Sequence, residues 1–265
     1  MRTVIFTDLD GTLIDHNTYD AAEAAVAVRD TREAGIPICI CSSKTRKEIH
    51  YYRDTLRIAD PFIYENGAAV FIPEGYFEPG RACEVIELGT PYYALVAALR
   101  RAREKLGIRL RGFHEITYKE LSSLSGLSPA MARFALEREY DEPFWFEADS
   151  AGIDDLKRVL RKDSLNVIKG GRFYHVIGDN DKGKAVTLLS NRFRSRNPDA
   201  VFAGLGDSPN DIPMLRNVDI PILVESHSGS YDEETRRAVP GVRLAEGIGP
   251  RGWRSAVNAL LAELK

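Results

Sequence analysis

Glutamine is absent from the 265-residue chain, and cysteine and tryptophan are scarce, with three and two copies. Cys39, Cys41 and Cys83 form an odd set with no C-x-x-C spacing, which argues against a disulfide framework. Cys39 and Cys41 stand two apart on an apparent strand and face one side, the pattern of core packing. No apolar run approaches the roughly 18 residues that a membrane-spanning helix needs. "MRTVIFT" enters a strand at once and leaves no room for a signal peptide, so the chain is expected to be cytoplasmic. Charge of neither sign dominates: 36 basic and 39 acidic residues are interspersed, for a net charge of −3, with no basic stripe to neutralise a phosphate backbone. Neither nucleic acid nor a membrane is an expected partner, and the oligomeric state stays open. The missing glutamine, with arginine well ahead of lysine, fits a thermophilic source and codon bias equally.

What is present is a regular alternation. "TVIFT" is a short β-branched and aromatic strand, "AAEAAVAVRDTREAG" a helical stretch ending at Gly35, "IPICIC" a second strand and "KTRKEIHYYRDTLR" a second helix. "PFIYENGAAVFI" reads as strand, turn, strand. Strands alternating with helices imply a parallel sheet with right-handed crossovers, an α/β core. From residue 82 the character changes. "EVIEL", the helix "PYYALVAALRRAREKLG", a polar serine-rich stretch with short helices, "EPFWFEA", the helix "DDLKRVLRKD" and the strands of "LNVIKGGRFYHVIG" suggest a separate α+β module. From Lys182 the simpler rhythm returns with "KAVTLLSNRF", "AVFAGLG", "PNDIPMLRN", "IPILV" and a final helix in "GPRGWRSAVNALLAELK". The expected organisation is a core of residues 1–81 and 182–265, interrupted by an inserted domain at 82–181.

Two acidic clusters fall where core strands end. "TDLDGTLID" places Asp8 and Asp10 two residues apart, and "GLGDSPND" places Asp207 and Asp211 after a later strand. Ligands of open parallel sheets bind outside the carboxyl ends of the strands. Turn chemistry accounts for one Asp-Gly, and helix capping for Asp207 and Asp211. Two clusters at two strand ends share one explanation more economically: a hard divalent cation such as Mg²⁺, which takes carboxylates, waters and a phosphate oxygen.

The ordered motifs resemble those of the haloacid dehalogenase superfamily of aspartate-nucleophile phosphohydrolases. D-x-D-G-T runs from Asp8 to Thr12, a serine ends the second strand at Ser42 or Ser43, Lys182 opens a later helix, and G-D-x-x-x-D holds Asp207 and Asp211. The resemblance implies a Rossmann-like core with a C2-type cap and a Mg²⁺ held by Asp8, Asp10 (through its carbonyl), Asp207 and Asp211. It also implies Asp8 as nucleophile, Asp10 as general acid and base, a serine as phosphate donor, with Ser42 preferred and Ser43 the alternative, and Lys182 reaching the phosphate. The helix-opening K-G-x-A order favours Lys182 over Lys184.

Within the superfamily, "CSSKTRKEI", "YENGAAVF", "REYDEPF", "KGGRFYHV" and "GLGDSPNDIPML" are similar to the phosphatases of mannosyl-3-phosphoglycerate. That resemblance implies a small phosphorylated glycoside as substrate. Phosphatases of sucrose phosphate or hexose phosphates, and a phosphomannomutase-like transferase, are the alternatives. For the glycoside, Arg138 and Arg172 are candidate partners of the glycerate carboxylate, Glu139 a candidate acceptor from sugar hydroxyls, and Gly170 and Gly171 points of close backbone approach. His175 is expected to pack within its strand.

Overall fold

The structure is a computed structural model and describes residues 3–146, 150–170 and 173–263. Five strands build the central sheet: β1 (Thr3–Thr7), β2 (Ile38–Ile40), β10 (Val201–Gly206), β11 (Ile220–Glu225) and β12 (Arg243–Ile248), in the order β12-β11-β10-β1-β2. Every pairing is parallel. Parallel sheets are covered on both faces, and all five residues of β1 are accordingly buried. Alternation sends Ile5 to one apolar cluster with Ile38, Leu205 and Trp253, and Val4 and Phe6 to another with Cys39, Cys41 and Phe202.

The helices α1 (Ala22–Glu33), α2 (Arg46–Leu56), α7 (Lys182–Arg196), α8 (Ile212–Leu215), α9 (Glu233–Ala238) and α10 (Pro250–Glu263) flank this sheet. In α1, Ala24, Ala27, Val28 and Thr31 are buried at helical spacing, and α10 covers that face. A capping box between Thr45 and Glu48 starts α2 where the sequence changes from strand to helix. The chain enters the sheet at β1 and adds β2 on one side, then returns to add β10, β11 and β12 on the other. The order therefore reverses between β1 and β10, and that crevice is where an open sheet binds its ligand. β12 had no signal in the sequence: it is an edge strand, and "RLAEGI" keeps only Ala245 buried.

Beside β2, the hairpin β3 (Phe62–Tyr64) and β4 (Ala69–Ile72) takes up β5 (Glu84–Glu87) as a third antiparallel strand. Glu84–Glu87, expected at the start of the insertion, thus pairs with β4 instead. The insertion's own sheet is antiparallel, in the order β6 (Leu110–Gly112), β7 (Glu142–Phe146), β9 (Tyr174–Ile177), β8 (Asn166–Lys169). One face packs Phe144 and Val176 against α3 (Tyr92–Leu106) and α6 (Ser150–Leu160). The opposite face carries Trp145 and His175, and the core cluster on that side includes residues of α4 (Tyr118–Ser125) and α5 (Pro129–Ala135). Tyr19 donates to the Ser125 carbonyl at 3.0 Å and Thr45 to the Phe134 carbonyl at 2.9 Å, so α4 and α5 rest on the core. No helix among the described residues is long and apolar enough to cross a membrane.

Candidate active site

The parallel register makes the first two site residues neighbours. Thr7 pairs with Leu205, so the chain leaves β1 at Asp8 and β10 at Asp207 side by side, with the Asp8 amide donating to the Leu205 carbonyl at 2.9 Å. Asp211 folds back over the turn after β10 and accepts from the Asp207 and Ser208 amides at 3.1 and 3.2 Å. Capping and convergence coexist here, because its other oxygen lies 2.6 Å from Lys182 Nζ, which also donates to Asp8 at 2.7 Å. Lys182 opens α7 and is 1% exposed, so this ammonium is committed to the site.

Asp8, Asp207 and Asp211 each bring a carboxylate oxygen to within 4.8 Å of the others. Three carboxylates against one ammonium leave an excess of two negative charges in a buried place. Burial pushes the Asp8 carboxyl up to about 7, with Lys182 opposing and Asp211 reinforcing the change. Asp207 is held well above the carboxylate range by burial and by Asp211 and Asp8. Burial disfavours the Lys182 charge, but Asp211 and Asp8 outweigh it and raise its pKa. An all-oxygen, doubly anionic donor set fits a hard divalent cation. Thr12 donates to Asp207 at 3.1 Å, and a Cβ on Gly11, at φ +78°, would stand 2.6 Å from an Asp207 oxygen. The G-T of the first motif therefore shapes the second acidic cluster.

Asp10 lies apart from that trio. One of its oxygens is 3.0 Å from Lys44 Nζ, and the other is buried without a hydrogen-bond partner among the described residues. The Asp10 carboxylate is therefore turned to Lys44 and does not join the trio. Lys44 is buried, lies 3.4 Å from Glu48, and keeps its charge against burial because Asp10 and Glu48 face it. Charges of alternating sign continue into the insertion: Glu48 is 4.0 Å from Arg138 and Arg138 is 3.8 Å from Asp141, which hydrogen-bonds His175 Nδ1 at 2.9 Å. The sequence reading missed Lys44; its signal was the K-x-x-x-E spacing with Glu48 at the start of α2.

A cavity of about 470 Å³ opens above Asp8, Asp10 and Asp207. Phe113, Phe173, Arg138 and His175 wall it from the insertion, and the loop from Ser226 to Glu233 from the core. Ser43 borders this space, whereas Ser42 is fully buried and takes the Lys44 amide on its hydroxyl at 3.3 Å. Of the two candidate phosphate donors, Ser43 is thus the one that faces the cavity. Ser42, the first residue beyond the bridged end of the strand, turns inward. Arg138 borders the cavity, but its guanidinium donates to the Ala135 and Ser43 carbonyls at 2.9 and 2.8 Å, so it first ties the insertion to the core. Glu139 pairs with Arg46 at 3.0 Å and accepts from Tyr64, and it is not among the described residues that line the cavity. Gly170 admits a close approach by a side chain rather than a ligand, since a Cβ there would stand 2.7 Å from His175 Nε2. Gly171 and Arg172 lie outside the described residues.

Residues 5–79 match the model of the haloacid dehalogenase-like hydrolases. A glucosyl-3-phosphoglycerate/mannosyl-3-phosphoglycerate phosphatase of Methanococcoides burtonii is 42% identical, over 99% of this chain and 98% of its own. One of the same name from Persephonella marina is 39% identical, over 99% and 98%. A solved structure from Thermoplasma acidophilum superposes with a TM-score of 0.71 at 15% identity, covering 98% of this chain and 99% of its own, which is a likeness of fold.

Proposed function

We infer the reaction from the premise that this chain belongs to the haloacid dehalogenase-like hydrolases, alongside its glucosyl-3-phosphoglycerate/mannosyl-3-phosphoglycerate phosphatase relatives. It is a phosphoric monoester hydrolase. The substrate we assign is mannosyl-3-phosphoglycerate, with the glucosyl counterpart accepted as well, and the products are the glycosylglycerate and inorganic phosphate. The observation that carries this reading is the carboxylate trio with Lys182, of which Asp8 and Asp207 form the floor of a cavity of about 470 Å³ roofed by the insertion. That volume suits a phosphorylated glycoside rather than a macromolecule.

Spontaneous hydrolysis of a phosphate monoester is so slow that the site must lower the barrier by on the order of 20 kcal/mol. Dividing the reaction helps. Asp8 attacks phosphorus, the ester P–O bond breaks, and Asp10 gives its proton to the departing glycerate oxygen. Asp10 then takes a proton from water, whose oxygen attacks the aspartyl-phosphate and returns Asp8 as a carboxylate. Lys182, 2.7 Å from Asp8, orients the nucleophile and favours its ionised form against burial. Ser43 donates to the phosphoryl oxygens, and Lys44 holds the Asp10 carboxylate in place. Asp8, Asp207, Asp211 and the Asp10 carbonyl would hold Mg²⁺, which would supply charge neutralisation between nucleophile and phosphate. Residues 82–181, less the β5 edge strand, serve as the cap that excludes water.

The test is a phosphate-release screen of the two glycosyl phosphoglycerates against sucrose phosphate and hexose phosphates, with and without excess chelator. The reading expects preference for the glycosyl phosphoglycerates and no turnover in chelator. Preference for a free hexose phosphate would remove the substrate assignment, and full activity in chelator would remove the cation.

A further inference from the structure

We propose that His175 is a specificity-determining residue that meets a hydroxyl of the glycosyl unit through Nε2, with Asp141 as its positioning residue. The inference rests on the glycoside reading above and names the group on the cap that recognises the sugar.

His175 sits on β9 between Ile168 of β8 and Pro143 of β7, so its backbone position is fixed from both sides. Its Nδ1 faces both Asp141 oxygens, at 2.9 and 3.0 Å. Asp141 is itself fully buried and held by Asn66 Nδ2 at 2.7 Å. Asn66 in turn accepts from Asn210 at 3.4 Å, in the turn that carries Asp207 and Asp211. The ring is thus oriented from the phosphate-binding end of the core. A carboxylate at Nδ1 selects the tautomer or the imidazolium with its proton there and leaves Nε2 for something else. Among the described residues, His175 makes no hydrogen bond beyond those to Asp141, yet it borders the cavity. Strand packing alone requires neither a buried carboxylate at Nδ1 nor the missing Cβ at Gly170 that gives Nε2 its room.

The neighbouring wall says which part of the substrate lies there. Phe113 and Phe173 meet edge to face at 5.1 Å, Trp145 backs them at 5.7 and 4.8 Å, and both phenylalanines line the cavity. Apolar ring faces with one directed polar atom suit a sugar, which offers C–H faces and hydroxyl edges. The phosphate belongs to the opposite, cationic and metal-binding end.

Two substitutions separate the two ring nitrogens. Asn at 175 can reproduce Nδ1 toward Asp141 but not Nε2; Gln can reach the Nε2 position but forsakes Asp141. Mannosyl-3-phosphoglycerate and p-nitrophenyl phosphate serve as substrates with and without the sugar, and thermal unfolding checks the fold. For His175→Asn we expect kcat/KM for the glycoside, divided by that for the small ester, to fall roughly tenfold, chiefly through KM. His175→Gln should hold the ratio within about threefold of wild type, despite a lower unfolding midpoint. A ratio kept by Asn, or lost by Gln as fully as by Asn, overturns the proposal and leaves His175 a structural partner of Asp141. Should the Asn variant not fold, the Gln variant decides alone, a tenfold loss of ratio counting against. A wild type that prefers other esters would instead overturn the substrate assignment, independently of either variant.

Discussion

Withdrawing the cation should make the stability of this protein fall as pH rises, the reverse of ordinary acid denaturation. In the unfolded chain the Asp8 carboxyl titrates at its ordinary 3.8, whereas burial beside Asp211 and Asp10 holds it to about 7 in the fold, even with Lys182 opposing. Between those values the folded state binds the extra proton, so unfolding becomes easier as pH rises. The contribution is complete below 3.8 and lost above about 7. At about 1.36 kcal/mol per pH unit that gap corresponds to about 4 kcal/mol. Asp207, raised by the same surroundings, acts in the same direction. For a chain of this size the loss amounts to an unfolding midpoint lower by on the order of 10 °C. Scanning calorimetry in excess chelator from pH 5 to pH 8 reads the upper part of that decline, about 3 kcal/mol between pH 5 and about 7. Millimolar Mg²⁺ should restore the midpoint at pH 8 and do much less at pH 5, where protons already occupy the carboxylates. Asp8→Asn should flatten the chelated profile and raise its pH 8 end. A chelated midpoint that stays level or climbs over this range, or a Mg²⁺ effect equal at both ends, would refute the charge argument.

Other consequences are simpler to read. Asp8→Asn should abolish phosphate release, while Asp10→Asn should leave an enzyme slower by about 10² to 10⁴-fold; equal losses would contradict their separate roles. Gly11→Ala should cost about 1 to 2 kcal/mol from its left-handed backbone and also displace Asp207, so a Mg²⁺ titration of activity should shift to higher concentration. An unchanged titration would show that Asp207 is free of that constraint. Arg138→Ala should lower stability by about 1 to 3 kcal/mol in urea unfolding, because it leaves the Ala135 and Ser43 carbonyls without their guanidinium donor, while Glu48 keeps Lys44 and Asp141 keeps Asn66 and His175. A loss under 1 kcal/mol would mean that Arg138 is chiefly a ligand contact.

The acidic residues that gather at the strand ends were legible in the sequence. Short apolar runs ending in D-x-D-G-T and G-D-x-x-x-D declare both the strands and their carboxyl ends, because a buried strand must stop where charge begins. Lys182 was legible for the same reason, as the first residue of a helix returning to the sheet. The sequence alone also marked the insertion as a different kind of structure, through its polar, aromatic strands. Tertiary structure decided the rest. Only the register of β1 on β10 brings Asp8 and Asp207 together, and only the path after β2 turns Ser42 inward and leaves Ser43 at the cavity. Strand β12 was invisible because an edge strand with one buried residue has no apolar alternation to detect. Glu139 and Gly170 had plausible compositions for a sugar site, yet Arg46 and the His175 ring claim them. Lys44 and Arg138 belong to separate stretches, and their alternation of charge with Asp10, Glu48 and Asp141 exists only once those stretches pack together. Local pattern reports which face of a segment is apolar; which charges share a buried space depends on how distant segments pack.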